Sequence, residues 1–301
     1  MYLVKRNLCL ISGFGACAKM HRELIAATAV VMSILAGCAP ELREPRQICP
    51  GKQSVTESLD FLGSRSENTM PLKATGQCIA RFYVEDKEYH ESFPVTLWVN
   101  PPTQIRLHGD VFLNPRGIVL GSNVREFWLA IKPKEISTYH WGLWSEQNSS
   151  QSTIVNPKTL LEALGIVPPG NDEAWSLSNE GAFDVLTKRN DQGRIIKKVY
   201  LYSCDYRVSK IEYFNMDGEA VTIAELYKYK EMSKRFFIPR VIKIITYAQE
   251  GREDSVIITL KSVKPYKFDK KKQDVYFNRR KPKGFKHIYK ITDGHMIEQS
   301  E

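Results

Sequence analysis

Cys38 is the side chain in this sequence best placed to react. It follows the small residues Ala36 and Gly37 and closes an uncharged apolar run of twelve residues, Leu24 to Leu35. Twelve residues of helix rise about 18 Å, too little to cross a hydrocarbon core of roughly 30 Å. Met20-His21-Arg22 supplies a small positive start, so residues 1–37 read as an export signal rather than a permanent span. The alternative is an ordinary apolar helix that happens to end in cysteine. Met20 is the natural start, leaving eighteen residues before Cys38. The stretch before it holds Gly13-Phe14-Gly15-Ala16-Cys17-Ala18, a loose match to a dinucleotide-binding glycine pattern. No strand–helix–strand unit surrounds that match, and it is discarded.

Leu35-Ala36-Gly37-Cys38 resembles the lipobox of bacterial lipoproteins. The resemblance implies that Cys38 becomes the mature N-terminus, with a diacylglycerol on its sulfur and an acyl chain such as palmitate on its freed amine. Two or three buried chains, at about 0.8 kcal/mol per methylene, hold a protein on a bilayer almost irreversibly. Ala39 stands where enterobacterial lipoproteins retained on the inner membrane carry aspartate. The resemblance therefore implies an outer-membrane anchor, with the domain facing the periplasm.

The remaining reactive side chains form no recognisable catalytic or metal site. Cys49, Cys78 and Cys204 are left once Cys38 is committed. An oxidising compartment makes one disulfide the expectation, and Cys49–Cys78 would close a loop of about thirty residues worth roughly 3.5 kcal/mol. The alternative is that these cysteines are unpaired and buried. No C-x-x-C or Cys/His cluster has metal-site spacing, so neither metal nor cofactor is expected. The histidines of the mature chain, His90, His108, His140, His287 and His295, lie in no H-E-x-x-H, and no G-x-S-x-G occurs. Glu85-Asp86, His90-Glu91 and Asp172-Glu173 sit where turns are expected, and nothing poses a facing carboxylate pair for glycoside hydrolysis. Tyr139, Trp141, Trp144 and Trp175 could stack on a sugar, but aromatics in strands are usually core. The expectation is a protein that is not an enzyme.

Bulk properties agree with a folded envelope domain. Residues 38–301 number 264, and apolar content of 43% with 11% aromatics argues against a disordered tether. Removing residues 1–37 lowers the net charge from +9 to +6. The excess is concentrated in Lys270-Lys271-Lys272 and Arg279-Arg280-Lys281, readable as contact with anionic lipid or an envelope polyanion, or, as preferred here, as a solvated basic tail. An exported protein is not expected to meet nucleic acid. The sequence leaves the oligomeric state open.

The elements that must carry these residues are mostly strands. Residues 38–53, with Pro40, Pro45 and Pro50, read as an extended tether. Ser54-Val55-Thr56-Glu57 matches a capping box ahead of Val55, Leu59 and Leu62, and Gly63 is expected to end that helix. From Lys73 the period is two. Val95, Leu97 and Val99 alternate with Thr96, Trp98 and Asn100, and Ile105 and Leu107 with Arg106 and His108. Further strands are expected at 126–131, 138–142, 182–188, 197–202, 207–214, 220–229, 239–247 and 255–263. Asp217-Gly218 is a hairpin signal between two of them. One interruption, Asn156 to Gly165, carries a cap, Pro157 at the first helical position and a leucine stripe of Leu160, Leu161 and Leu164. The fold class is mainly β (α+β): a curved antiparallel sheet, or half-barrel, with short lid helices, one domain spanning 54–285 and a C-terminal tail over 286–301.

This layout is similar to the LolA/LolB family of lipoprotein carriers and receptors. Gly76-Gln77-Cys78-Ile79-Ala80-Arg81 resembles its first strand, and Pro101 to Leu107 its proline followed by an Arg-Leu strand. Phe127-Trp128-Leu129-Ala130 with Gly142 resembles the next, and Tyr213 to Gly218 with Pro239 the closing hairpins. The resemblance implies an apolar cavity for lipid acyl chains. Val55, Leu59, Leu62, Leu160, Leu161 and Leu164 would form the lid faces, and Ile105, Leu107 and Leu129 the floor. The same side chains could instead pack as a solid core, making the protein an assembly scaffold without ligand; the sequence leaves both open. Asp110 to Pro115 could be the protruding apolar loop of the receptor member, or a strand end with Phe112 and Leu113 buried. Partners implied are the membrane, through the anchor, and lipid or lipoprotein acyl chains.

Overall fold

A computed structural model describes residues 47–84, 87–111, 114–133, 136–144, 157–167, 174–247, 252–292 and 295–299. Cys38, Phe112, Leu113 and Asn156, on which expectations were placed above, lie outside the described residues. The chain from Gln47 onward forms one compact unit. Among the described residues no helix is long and apolar enough to cross a membrane.

Among the described residues period-two alternation produces one fifteen-stranded sheet. Its first meander comprises β1 (Leu72–Val84), β2 (Lys87–Asn100), β3 (Gln104–Val111), β4 (Asn114–Ser122), β5 (Glu126–Ile131) and β6 (Thr138–Leu143). The second comprises β7 (Trp175–Glu180), β8 (Phe183–Arg189), β9 (Ile195–Tyr202), β10 (Val208–Phe214), β11 (Ala220–Ser233), β12 (Phe236–Tyr247) and β13 (Glu253–Pro265). Pairing of β1 with β13 joins the two. At the far side lie β14 (His287–Thr292), parallel to β6, and β15 (His295–Glu298). β15 and β7 are the outer strands, so the sheet stays open as a half-barrel. Every pairing but that of β14 with β6 is antiparallel. The Asn215–Gly218 turn closes as the sequence indicates: Gly218 takes φ +84°, and the Asn215 side chain accepts the Asp217 and Glu219 amides at 3.0 and 2.9 Å.

Among the described residues three short helices accompany the sheet. In α1 (Val55–Ser66) the Ser54 hydroxyl accepts the Glu57 amide at 3.1 Å. This helix runs past Gly63, where a glycine facing open space costs only about 1 kcal/mol relative to alanine. α2 (Pro157–Ala163) ends before Gly165, whose φ of +69° closes it. α3 (Lys270–Phe277) is capped by Asp269, which accepts the Lys272 amide at 2.8 Å.

The main core lies on one face of the sheet, under α1 and α2. Alternate residues such as Val95, Leu97, Ile105, Leu107, Leu201, Ile211 and Ile258 meet Leu59, Leu62, Leu160 and Leu164 there. A smaller cluster of Val119, Trp128, Ala130, Tyr139 and Ile288 occupies the opposite face.

Two expectations are corrected. The disulfide joins Cys49 to Cys204, 155 residues apart, rather than Cys49 to Cys78. Cys78 points from β1 into the core between Phe93 and Ile258, is 3% exposed, and burial pushes its thiol up to about 12. Cys49 instead lies beside the end of β9, where Tyr202 donates to the Gln47 carbonyl at 2.8 Å. The end of the expected free tether is thereby held from Gln47 onward. Nor do residues 286–301 form a tail, since β14 and β15 extend the sheet with Ile288 and Ile291 buried.

Candidate functional site

The nine apolar residues singled out in the sequence converge. Leu59, Leu62, Ile105, Leu107, Leu160, Leu161 and Leu164 belong to the main core, and Val55 and Leu129 pack against it half-buried. Leu160 and Leu164 are wholly inaccessible to solvent. The helices therefore cover the sheet with their leucine faces. Space between them is small: a cleft of about 60 Å³ beside Leu62, Ala163, Val199, Ile211 and Phe236. Ligand sites for drug-sized molecules run to roughly 300–1,000 Å³, so no acyl chain fits in this conformation.

The mouth of the cleft is cationic. Arg65, Lys197, Arg207 and Arg235 line it, with Glu162 the acidic member. Arg65 extends from the last turn of α1 and donates to the Tyr206 carbonyl at 2.6 Å, its guanidinium lying between Phe61 and Phe237. Burial pushes Arg65 down from the ordinary arginine value, while nearby Asp205 opposes that shift. Arg207 is paired with Asp205 and faces Tyr229.

Glu162 fastens α2 to the sheet. Its carboxylate meets the Lys197 ammonium of β9 at 2.8 Å and accepts from the Tyr213 hydroxyl of β10. Burial pushes Glu162 up, but the charge and hydrogen bond of Lys197, with Tyr213, outweigh it and hold the carboxyl below its ordinary value. Burial and the Glu162 charge together push the Tyr213 phenol well up.

A second polar knot holds α1. Asp184 is 1% exposed and accepts three bonds of 2.7 Å, from the Lys52 amide, the Asn179 side chain and the Tyr206 hydroxyl. The Tyr206 oxygen also lies 2.8 Å from Ser58 of α1. Gly51 passes so close that a Cβ there would stand 2.1 Å from the Asp184 carboxylate, which only glycine avoids.

No protein-family model matches the chain, and no curated protein does. Among solved structures, a candidate outer membrane lipoprotein-sorting protein domain from Vibrio parahaemolyticus superposes with a TM-score of 0.50 at 11% identity, over 72% of this chain and 94% of that one. The fold is that of this domain. A LolA superfamily protein from Nitrosomonas europaea aligns at 11% identity and TM-score 0.46, over 73% of this chain and 97% of its own. At such identities a likeness is one of architecture, and residue roles must come from this chain.

Several participants escaped the sequence reading. Glu162 is the single charge among Thr159, Leu160, Leu161, Ala163 and Leu164, a signal that a helix read only for its leucines passes over. Lys197, Tyr213 and Asp184 lie in strands whose polar members look solvent-facing. His90 stands exposed beside Glu88, whereas His108 is driven to about 4 by burial and by the neighbouring Arg106. Among the described residues no group of His, Cys, Asp or Glu is arranged to hold a metal ion.

Proposed function

We propose that this chain is a lipid-anchored envelope protein, attached to the outer membrane through Cys38, whose half-barrel takes the acyl chains of lipids or lipoproteins during their localisation. The observation that carries the reading is the convergence of nine apolar side chains from two helices and the sheet on one enclosed face. The LolA-like fold supports it, as does the role in lipoprotein sorting named for the Vibrio domain. Entry requires α2 to lift. A palmitoyl-length chain brings about 12 kcal/mol of methylene burial, against roughly 5–9 kcal/mol for the three leucines of α2. Because the incoming chain covers those leucines, their burial is exchanged rather than lost. Nothing in this role needs a catalytic residue.

The small cleft favours a second reading, in which the core stays filled and the protein is a non-catalytic assembly scaffold. Native mass spectrometry of the unlipidated protein separates the two. Co-purifying acyl lipid, or uptake of an added fatty acid, is the outcome expected for the carrier. Its absence, with no uptake from vesicles, leaves the scaffold.

A further inference from the structure

Residues 264–290 hold eleven Lys and Arg against Asp269 and Asp274, a net +9 that equals the formal excess of the whole chain. The structure turns this segment into a strap across the face of the sheet opposite the main core. Tyr276 stacks on Trp98 of β2 at 4.8 Å, and Arg106 of β3 donates to its carbonyl at 2.8 Å. Asn123 donates to the Phe277 carbonyl at 3.0 Å, and Tyr139 of β6 to that of Arg280 at 3.1 Å. Apolar and backbone groups thus do the fastening, with Phe277 wholly buried.

Apart from Lys272 over the Tyr266 ring and half-buried Lys290 over Trp141, the lysines take little part in that packing. Nine of the eleven cations are exposed. Glu126 pairs with half-buried Arg279 and Asp269 with Lys272, while none of the other exposed cations meets a carboxylate among the described residues. Concentrating like charge destabilises a compact state through self-repulsion, so the arrangement calls for an external counter-charge. Two features select its kind. Nine of the eleven are lysines, strongly hydrated point charges suited to a diffuse anionic field rather than to bidentate grips. Val275 is 46% exposed one turn beyond Lys271 and Lys272, an apolar group useful in a headgroup layer and idle against a polyanion in water.

We infer that the strap face docks on the anionic phospholipid headgroups of a bilayer. This contact is independent of acyl-chain binding on the opposite face. Each lysine near an anionic surface contributes about 1 kcal/mol, an effect that salt removes.

The test is vesicle co-sedimentation of the full chain carrying Cys38→Ser, with its apolar segment common to every variant. Binding is expected to be at least about tenfold tighter to vesicles with about 30 mol% phosphatidylglycerol than to phosphatidylcholine alone, and to fall in roughly 0.5 M salt. Lys270→Gln/Lys271→Gln/Lys272→Gln should lose about tenfold or more. The control Lys87→Gln/Lys228→Gln/Lys234→Gln, with the same charge change elsewhere, should retain binding. If the first triple variant loses its near-UV circular dichroism, Lys281→Gln/Lys283→Gln/Lys286→Gln decides in its place. Equal binding to both vesicle types, an equal loss in the control, or preference for soluble polyphosphate over vesicles overturns the inference.

Discussion

Glu162 and Lys197 stand 2.8 Å apart across the boundary between α2 and β9, with side chains only 10% and 12% exposed. A helix held by leucines alone could settle in more than one register on an apolar surface. A buried ion pair admits one, because any other leaves both charges desolvated and unmatched. Glu162→Gln should therefore cost about 3–5 kcal/mol, since it leaves Lys197 buried without its counter-charge. The double replacement Glu162→Leu/Lys197→Met should recover most of that loss. Urea denaturation of the three variants measures both quantities.

The same pair predicts acid sensitivity. Lys197 on β9, Tyr213 on β10 and Lys158 on α2 itself face the Glu162 carboxylate and hold it below its ordinary 4.5 despite burial. A depressed carboxylate contributes stability above its unfolded pKa and loses it as pH falls through the folded value. Stability should fall below about pH 4.5 more steeply in the wild type than in Glu162→Gln. Parallel slopes would remove Glu162 from the account.

His108 offers an independent check on the opposite face. It packs against Trp98 and Arg106, with Arg116, Lys132 and Asp110 also close, and its imidazole is driven from 6.5 to about 4. Its folded pKa is lowered, so the neutral form adds stability above 6.5 that is lost as pH falls towards 4. An NMR titration should find its ring signals unchanged from pH 8 to about 5. A midpoint near 6.5 would show that the imidazole is not desolvated there.

Leu161, 3% exposed, discriminates between cavity and filled core. Under the carrier reading, Leu161→Ser weakens acyl-lipid retention more than it lowers stability. In a filled core, Leu161→Ala costs about 2–5 kcal/mol and wild type retains no lipid. Lipid retention and denaturation midpoint, read on the same preparations, settle which applies.

Cys204→Ser should lower stability by up to about 5 kcal/mol, the chain-entropy value for a loop of 155 residues. Protection of Lys52 and Gln53 against hydrogen exchange should fall with it, because the staple holds that segment against β8 and β9.

Strands and lids were legible in the sequence because alternation and leucine spacing are local signals. Val95, Leu97 and Val99 on one face, with Trp98 on the other, follow directly from period two. Cys204 was not legible as the partner of Cys49, since loop entropy favours near cysteines while tertiary packing had already enclosed Cys78. The strap was missed for a related reason. Lysine density reads as solvation, yet Phe277 is buried beneath the segment, and Ile288 is buried in a parallel pairing with β6 that no turn signal announces. Glu162 and Lys197, 35 residues apart, gain meaning only once β9 lies beneath α2.

The Cys49–Cys204 link also decides how tension enters the domain. A pull on the chain ahead of residue 47 is carried through Cys49 across the disulfide into the β9 end of the sheet. Strands bonded side by side then share the load. Helix α1, which begins six residues later at Val55, stays slack under such a pull. Mechanical strain on a leash would thus pass into the sheet without drawing on α1, and reduction of that single bond would leave the force to the Lys52–Asp184 hydrogen bond and then to the helix.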